Sequence, residues 1–290
     1  MRAGFLNVII LNMINEEKII HIRSLDDPAV SLYTQYNEPQ LYHLNEPDRG
    51  IFIAETPMVI ERVLDFGARP LSFFVEEGAF GNEAVQSVLA RAGEDVEILS
   101  AELSVINKIT GFNLTRGVLA AFERPELCDI NNLLSSSGIV AVLEDIVNPT
   151  NVGAIFRSAA ALGVDAILLT KGCTDPFYRR SARVSMGTVF QVPWTYIPDG
   201  RPLTEVLHDN GYEIISMALE KRAIPVTDPI LKNGKKRAIV FGAEGDGISE
   251  VTLSDSDHIA IIPMHNGVDS LNVAASSAIA FWELCKTGGL

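Results

Sequence analysis

The chain has 290 residues, 47% hydrophobic and 21% charged, which suits two domains and excludes a disordered or low-complexity chain. Its formal charge of −14 repels nucleic acid at long range, so any RNA-binding role must rest on local basic patches. No apolar run approaches the roughly 20 residues of a membrane span, and Cys128, Cys173 and Cys285 stand singly, which argues against a disulfide framework or zinc site and fits a reducing cytoplasm.

Phe5 to Ile14 is apolar and follows Arg2, as in a short signal-peptide core. It lacks a small-residue cleavage site and runs directly into Asn15-Glu16-Glu17-Lys18. Residues 1–30 therefore read as a leader, holding either a leading strand or a true start at Met13. Residues 31–125 read as a first α/β domain. Its opening, Ser31 to Arg49, is polar and rich in Asn, Pro and Tyr, and predicts irregular structure. Strands follow at Gly50–Glu55, Leu71–Val75, Val96–Leu99 and Val118–Phe122, with helices at Met58–Phe66, Asn82–Ala92 and Ala101–Lys108. Residues 126–137, ending in a serine run, read as a linker.

From residue 138 to 290 the apolar runs are too continuous for strands with one buried face: Ile139–Leu143, Ala166–Leu169, Tyr212–Met217, Ala238–Phe241 and Ile259–Ile262. Helical segments separate most of them, which predicts a parallel sheet covered on both faces. No internal repeat is visible.

Three segments carry chemistry. The first, Glu144 to Gly163, turns at Asn148-Pro149, offers Asn151 as a helix N-cap, and sets Arg157 among Gly and Ala residues. An isolated arginine of this kind is more often a solvated helix residue. The second, Phe241-Gly242-Ala243-Glu244-Gly245-Asp246-Gly247, follows a strand like a nucleotide loop, but Glu244 and Asp246 would repel phosphate and tolerate a cation or a ribose hydroxyl. That counts against a nicotinamide-dependent enzyme. In the third, a strand ends at Ile262-Pro263 and a helix of small residues opens near Ser270-Leu271-Asn272-Val273. Alone, it reads as a packed core helix. The five histidines show no metal-ligand spacing.

Together, Asn148-Pro149-Thr150-Asn151-Val152-Gly153 with Arg157, Phe241–Gly245 and Ser270–Val273 resemble, in order, the signature segments of the SpoU (TrmH-like) branch of the SPOUT RNA ribose 2′-O-methyltransferases. Arg183-Val184-Ser185-Met186-Gly187 also matches. The resemblance implies an α/β fold whose carboxyl-terminal parallel-sheet domain, residues 138–290, holds a deep trefoil knot. It further implies that residues 31–125 are a smaller RNA-binding domain, as in ribosomal-RNA members.

By matched position, S-adenosylmethionine would contact Gly242, Glu244, Gly245, Ile262, Leu271 and Asn272, with Thr170 at the rim. Arg157, Asn151, Glu244, Ser270 and Asn272 would be catalytic, and no metal is implied. Arg157, Arg179, Arg180 and Arg183 would meet RNA, ribosomal RNA ahead of transfer RNA. A cytoplasmic homodimer joined through the knotted domain is implied as well. A catalytically silent RNA-binding member of the same fold is the alternative. A second basic patch, Lys232, Lys235, Lys236 and Arg237, offers another grip on a phosphate backbone.

Overall fold

The strands expected in the amino-terminal half all form. The computed structural model describes residues 19–93, 95–110 and 117–285, and the chain divides into two units. The first takes the described chain to Pro125 together with Phe177–Gly187. It contains β1 (Ile19–His21), α1 (Ser31–Thr34), α2 (Glu38–His43), β2 (Ile51–Glu55), α3 (Pro57–Phe66), β3 (Pro70–Glu76), α4 (Glu83–Leu89), β4 (Glu97–Ala101), α5 (Leu103–Thr110) and β5 (Val118–Glu123). Their sheet has the order β1-β4-β3-β5-β2. Strands β1, β4 and β3 are parallel, and β5 runs antiparallel to β3 and β2. Helix α3 ends at Gly67, whose left-handed φ of +86° lets its N–H turn back to the Leu64 and Val63 carbonyls.

Two expectations for this unit need correction. Ile19–His21 is not leader: it is an edge strand in parallel register with Ile98–Ser100, too short for any periodicity to announce. The apolar run Phe5 to Ile14 and Met13 lie outside the described residues. The stretch 31–49 is not irregular either, because Asn37 and Gln40 close a reciprocal capping box that starts α2. The buried Tyr33 hydroxyl meanwhile donates to the Ser72 carbonyl at 3.0 Å.

The second unit begins with α6 (Ile130–Ser136), β6 (Ile139–Leu143), α7 (Pro149–Leu162) and β7 (Ala166–Leu169). The chain then contributes Phe177–Gly187 to the first unit, where α8 (Arg179–Val184) packs on β2. It resumes with β8 (Trp194–Tyr196), α9 (Leu203–Asp209), β9 (Glu213–Met217), β10 (Ile224–Pro225), β11 (Arg237–Phe241), α10 (Glu250–Asp255), β12 (His258–Ile261) and α11 (Val273–Leu284). The sheet order is β10-β12-β9-β11-β6-β7-β8, and every pairing is parallel. Strands β6 and β11 lie near its centre and are buried along their whole length, as their unbroken apolar runs require.

The segment 126–137 is more than a linker. Asp129 caps α6 by accepting from the Asn131 and Asn132 amides, and Leu133 and Leu134 enter the core against Val140, Val142 and Val240. The Tyr212 hydroxyl donates to the Leu134 and Ser137 carbonyls and ties that helix down. At the far end, α11 lies along α7, and Phe281 meets Phe241 edge to face at 5.4 Å. After the outlying strand β12 the chain thus returns to the middle of the sheet.

Candidate active site

Pro149 sets where α7 begins. It has no N–H to lose and a φ already helical, so it occupies the first turn, and Asn148 becomes the cap, accepting from Thr150 N at 2.9 Å. Asn151 is therefore not the N-cap expected from sequence. It lies one turn in, buried, with its side chain free for other partners. The cap of α11 is Asn272, whose Oδ1 accepts from Ala274 N at 3.0 Å.

That cap fixes which way the Asn272 amide faces. Its Nδ2 donates to Glu244 Oε1 at 2.9 Å and to Asn151 Oδ1 at 3.2 Å. Asn151 Nδ2 donates to the same Glu244 oxygen. One carboxylate thus gathers two amides from segments 93 and 28 residues away in the chain. Glu244 sits on a tight loop closed by paired bonds between Ala243 and Gly247, each 3.0 Å. Gly242 is required there, since a Cβ would lie 2.2 Å from the Gly247 carbonyl carbon and oxygen.

Beside the network opens a cavity of about 610 Å³ at the carboxyl ends of β9, β11 and β12, the end at which ligands enter open parallel sheets. Gly242, Glu244, Gly245, Ile262, Leu271 and Asn272 all line it, with Ser270. Sequence reasoning missed Glu220 and Met217; their signal was the position at and just after the end of a buried parallel strand.

A family model, the SpoU rRNA Methylase family, matches residues 138–282. An uncharacterized tRNA/rRNA methyltransferase of Mycobacterium tuberculosis is 34% identical over 264 residues, covering 91% of this chain and 90% of the relative. The chain belongs to the SpoU rRNA Methylase family. The 23S rRNA (guanosine-2′-O-)-methyltransferase RlmB of Acinetobacter baylyi is 26% identical over 225 residues, 75% of this chain and 90% of its own. Among solved structures, the AdoMet-bound rRNA methyltransferase of Sinorhizobium meliloti superposes with a TM-score of 0.76 at 23% identity, covering 92% and 97% of the two chains. The SpoU methyltransferase AviRb of Streptomyces viridochromogenes gives 0.76 at 17%, covering 89% and 97%. As a SpoU methylase the chain is an RNA methyltransferase of the SPOUT fold, with that fold's trefoil knot in its carboxyl-terminal part.

Other residues singled out by the SpoU resemblance lie elsewhere. Thr170 does not reach this cavity. Its hydroxyl donates to Asp145 Oδ1 at 2.7 Å and accepts from Asp145 N, bracing the turn after β6, and it lines a separate cleft with Lys171 and Glu144. Arg157 is exposed on α7, and its side chain bonds no other described residue. Of the α8 arginines, Arg183 lies 3.6 Å from the buried Glu55 carboxylate, and the Arg179 backbone N–H donates to Glu38. Arg180 is exposed. The patch at 232–237 is largely committed: Lys232 pairs with Glu283, Lys236 donates to the Leu134 and Asn210 carbonyls, and buried Arg237 donates to those of Leu231 and Leu284. No group of three or more His, Cys, Asp or Glu residues is placed to hold a metal among the described residues.

Proposed function

We propose that this SpoU methylase transfers the methyl of S-adenosylmethionine to a ribose 2′-hydroxyl, in ribosomal RNA ahead of transfer RNA, and that it works in the cytoplasm as a homodimer. The observation that carries the reading is the meeting of Asn151, Glu244 and Asn272 at the edge of a cavity of small-molecule size. The cavity suits that cofactor chemically. Ile248, Ile262 and Leu271 offer apolar walls for a base, and the charged lining residues among those described are all acidic, which favours a sulfonium cation.

The cofactor brings a methyl group on a positively charged sulfur, already a strong electrophile. The chain's own work is to place the acceptor in line and manage one proton. Glu244 and Ser270 hold the two loops, and Asn151 and Asn272, fixed by Glu244, orient the acceptor. Arg157 contacts the target phosphate or hydroxyl. A guanidinium keeps its proton at any working pH, so Arg157 stabilises the developing alkoxide, and a phosphate oxygen or water takes the proton.

Arg157 stands six residues beyond Asn151, about 9 Å along α7 and on another face. It does not line the cavity of its own chain, and we assign it to the site of a second copy. Leu271, Ile279 and Trp282 leave an exposed apolar stripe on α11 and its lead-in that fits such a pairing. The test is ribose-methylation mapping of total RNA from cells with and without the gene, joined to tritiated-methyl transfer by the pure protein. Loss of a single 2′-O-methyl position that the protein restores in vitro supports the reading. An unchanged map, with no transfer to any RNA, refutes it.

A further inference from the structure

The charge of the cavity has a direction. Among the described residues, four carboxylates line it, those of Glu220, Glu244, Asp246 and Asp269, and no lysine or arginine does. Glu244 is occupied by the two asparagine amides. The other three are exposed, and none has a side-chain partner among the described residues. Asp246 is held at the cavity by its loop: it sits between Gly245 and Gly247, with φ of +107° and +72°, inside the closed Ala243–Gly247 turn.

From this arrangement, and resting on the cofactor reading above, we infer that Glu220, Asp246 and Asp269 make the site discriminate by charge, holding the cationic methyl donor more tightly than the demethylated product. S-adenosylmethionine carries a sulfonium, an ammonium and a carboxylate, for a net charge of +1. S-adenosylhomocysteine has lost the sulfonium charge and is neutral overall. The two are otherwise nearly the same shape, so apolar walls treat them alike and the acidic lining does not. Each exposed carboxylate contributes roughly a twofold preference, which for three of them compounds to about tenfold. The site thereby releases its product and resists inhibition by it.

Calorimetric titration of the full-length protein tests this with three probes: S-adenosylmethionine, S-adenosylhomocysteine, and sinefungin, which carries a protonated amine where the sulfonium stands. At about 0.05 M salt the donor and sinefungin are expected to bind about tenfold more tightly than the homocysteine product. At about 0.5 M, where the Debye length has shrunk from roughly 14 Å to roughly 4 Å, the gap narrows. Asp246→Asn and Asp269→Asn should each weaken donor and sinefungin about twofold and leave the product unchanged. Equal or tighter binding of the product, or a gap indifferent to salt and to both substitutions, overturns the charge argument while leaving the cofactor reading in place. Failure of all three probes to bind removes both.

Discussion

Replacing Asn272 separates two jobs that one side chain performs. Its Oδ1 caps α11, and its Nδ2 donates to Glu244 and Asn151. Alanine ends both. The lost cap costs about 1 kcal/mol, and the lost bond to a carboxylate about 1.5 kcal/mol, the low end for charged partners because the pair is exposed. The sum of about 2.5 kcal/mol corresponds to a melting temperature lower by roughly 5–10 °C in a chain of this size. Aspartate keeps the cap but sets a second carboxylate against Glu244, so one proton is shared between them. The folded protein then binds that proton better than the unfolded chain, and the deficit of Asn272→Asp grows as pH rises. It should be small near about pH 5 and approach that of alanine near neutrality, whereas the alanine deficit stays flat. Differential scanning calorimetry across that range reads both curves. Tritiated-methyl transfer to RNA should fall at least about tenfold in both variants, since neither orients the acceptor. Near-native transfer by Asn272→Asp would refute the role given to the amide network.

Arg157→Lys should lower methyl transfer by about 10²-fold, because it keeps the charge but loses the planar fork. Its melting temperature and cofactor affinity should stay unchanged, since the Arg157 side chain bonds no other described residue; full turnover would exclude a role needing guanidinium geometry. Gly242→Ala puts a methyl 2.2 Å from the Gly247 backbone, so the loop must open, with a cost of about 1–3 kcal/mol and cofactor binding weakened at least about tenfold by calorimetry. Leu134→Ala in α6, at a fully buried position, should cost about 2–5 kcal/mol in thermal unfolding; a value near zero would return that segment to linker status. Burial pushes the Cys285 thiol up to about 11 and Tyr212 up to about 12. A raised acid favours the neutral folded form, so stability from Cys285 is intact below about pH 9 and is lost as pH rises toward 11. Melting curves above pH 9 should show that decline, and near neutral pH a thiol reagent should label exposed Cys128 well before the buried pair.

The long elements and the motif order were legible because each left a pattern. Continuous apolar runs announced β6, β7, β9, β11 and β12, and Gly67 marked the end of α3. Elements of two or three residues, such as β8 and β10, carry no period and owe their existence to neighbours already in place. Helix α6 hid behind a polar serine-rich run, with two leucines bearing its burial. Of the candidate site, the identity of Asn151, Glu244 and Asn272 was readable, but their mutual bonds depend on return of the chain from β12 to α7. Thr170 shows the opposite outcome: a position matched by resemblance that packing spends on Asp145.

The excursion of Phe177–Gly187 has a practical corollary. Because this strip stacks Phe177 on Phe52 and sets Arg183 beside Glu55, the backbone passes from one unit to the other after Pro125, after Pro176 and after Gly187. A single proteolytic nick after Pro125 therefore releases neither half, and residues 126–290 expressed alone would lack the Phe52 ring and the Glu55 carboxylate that Phe177 and Arg183 meet.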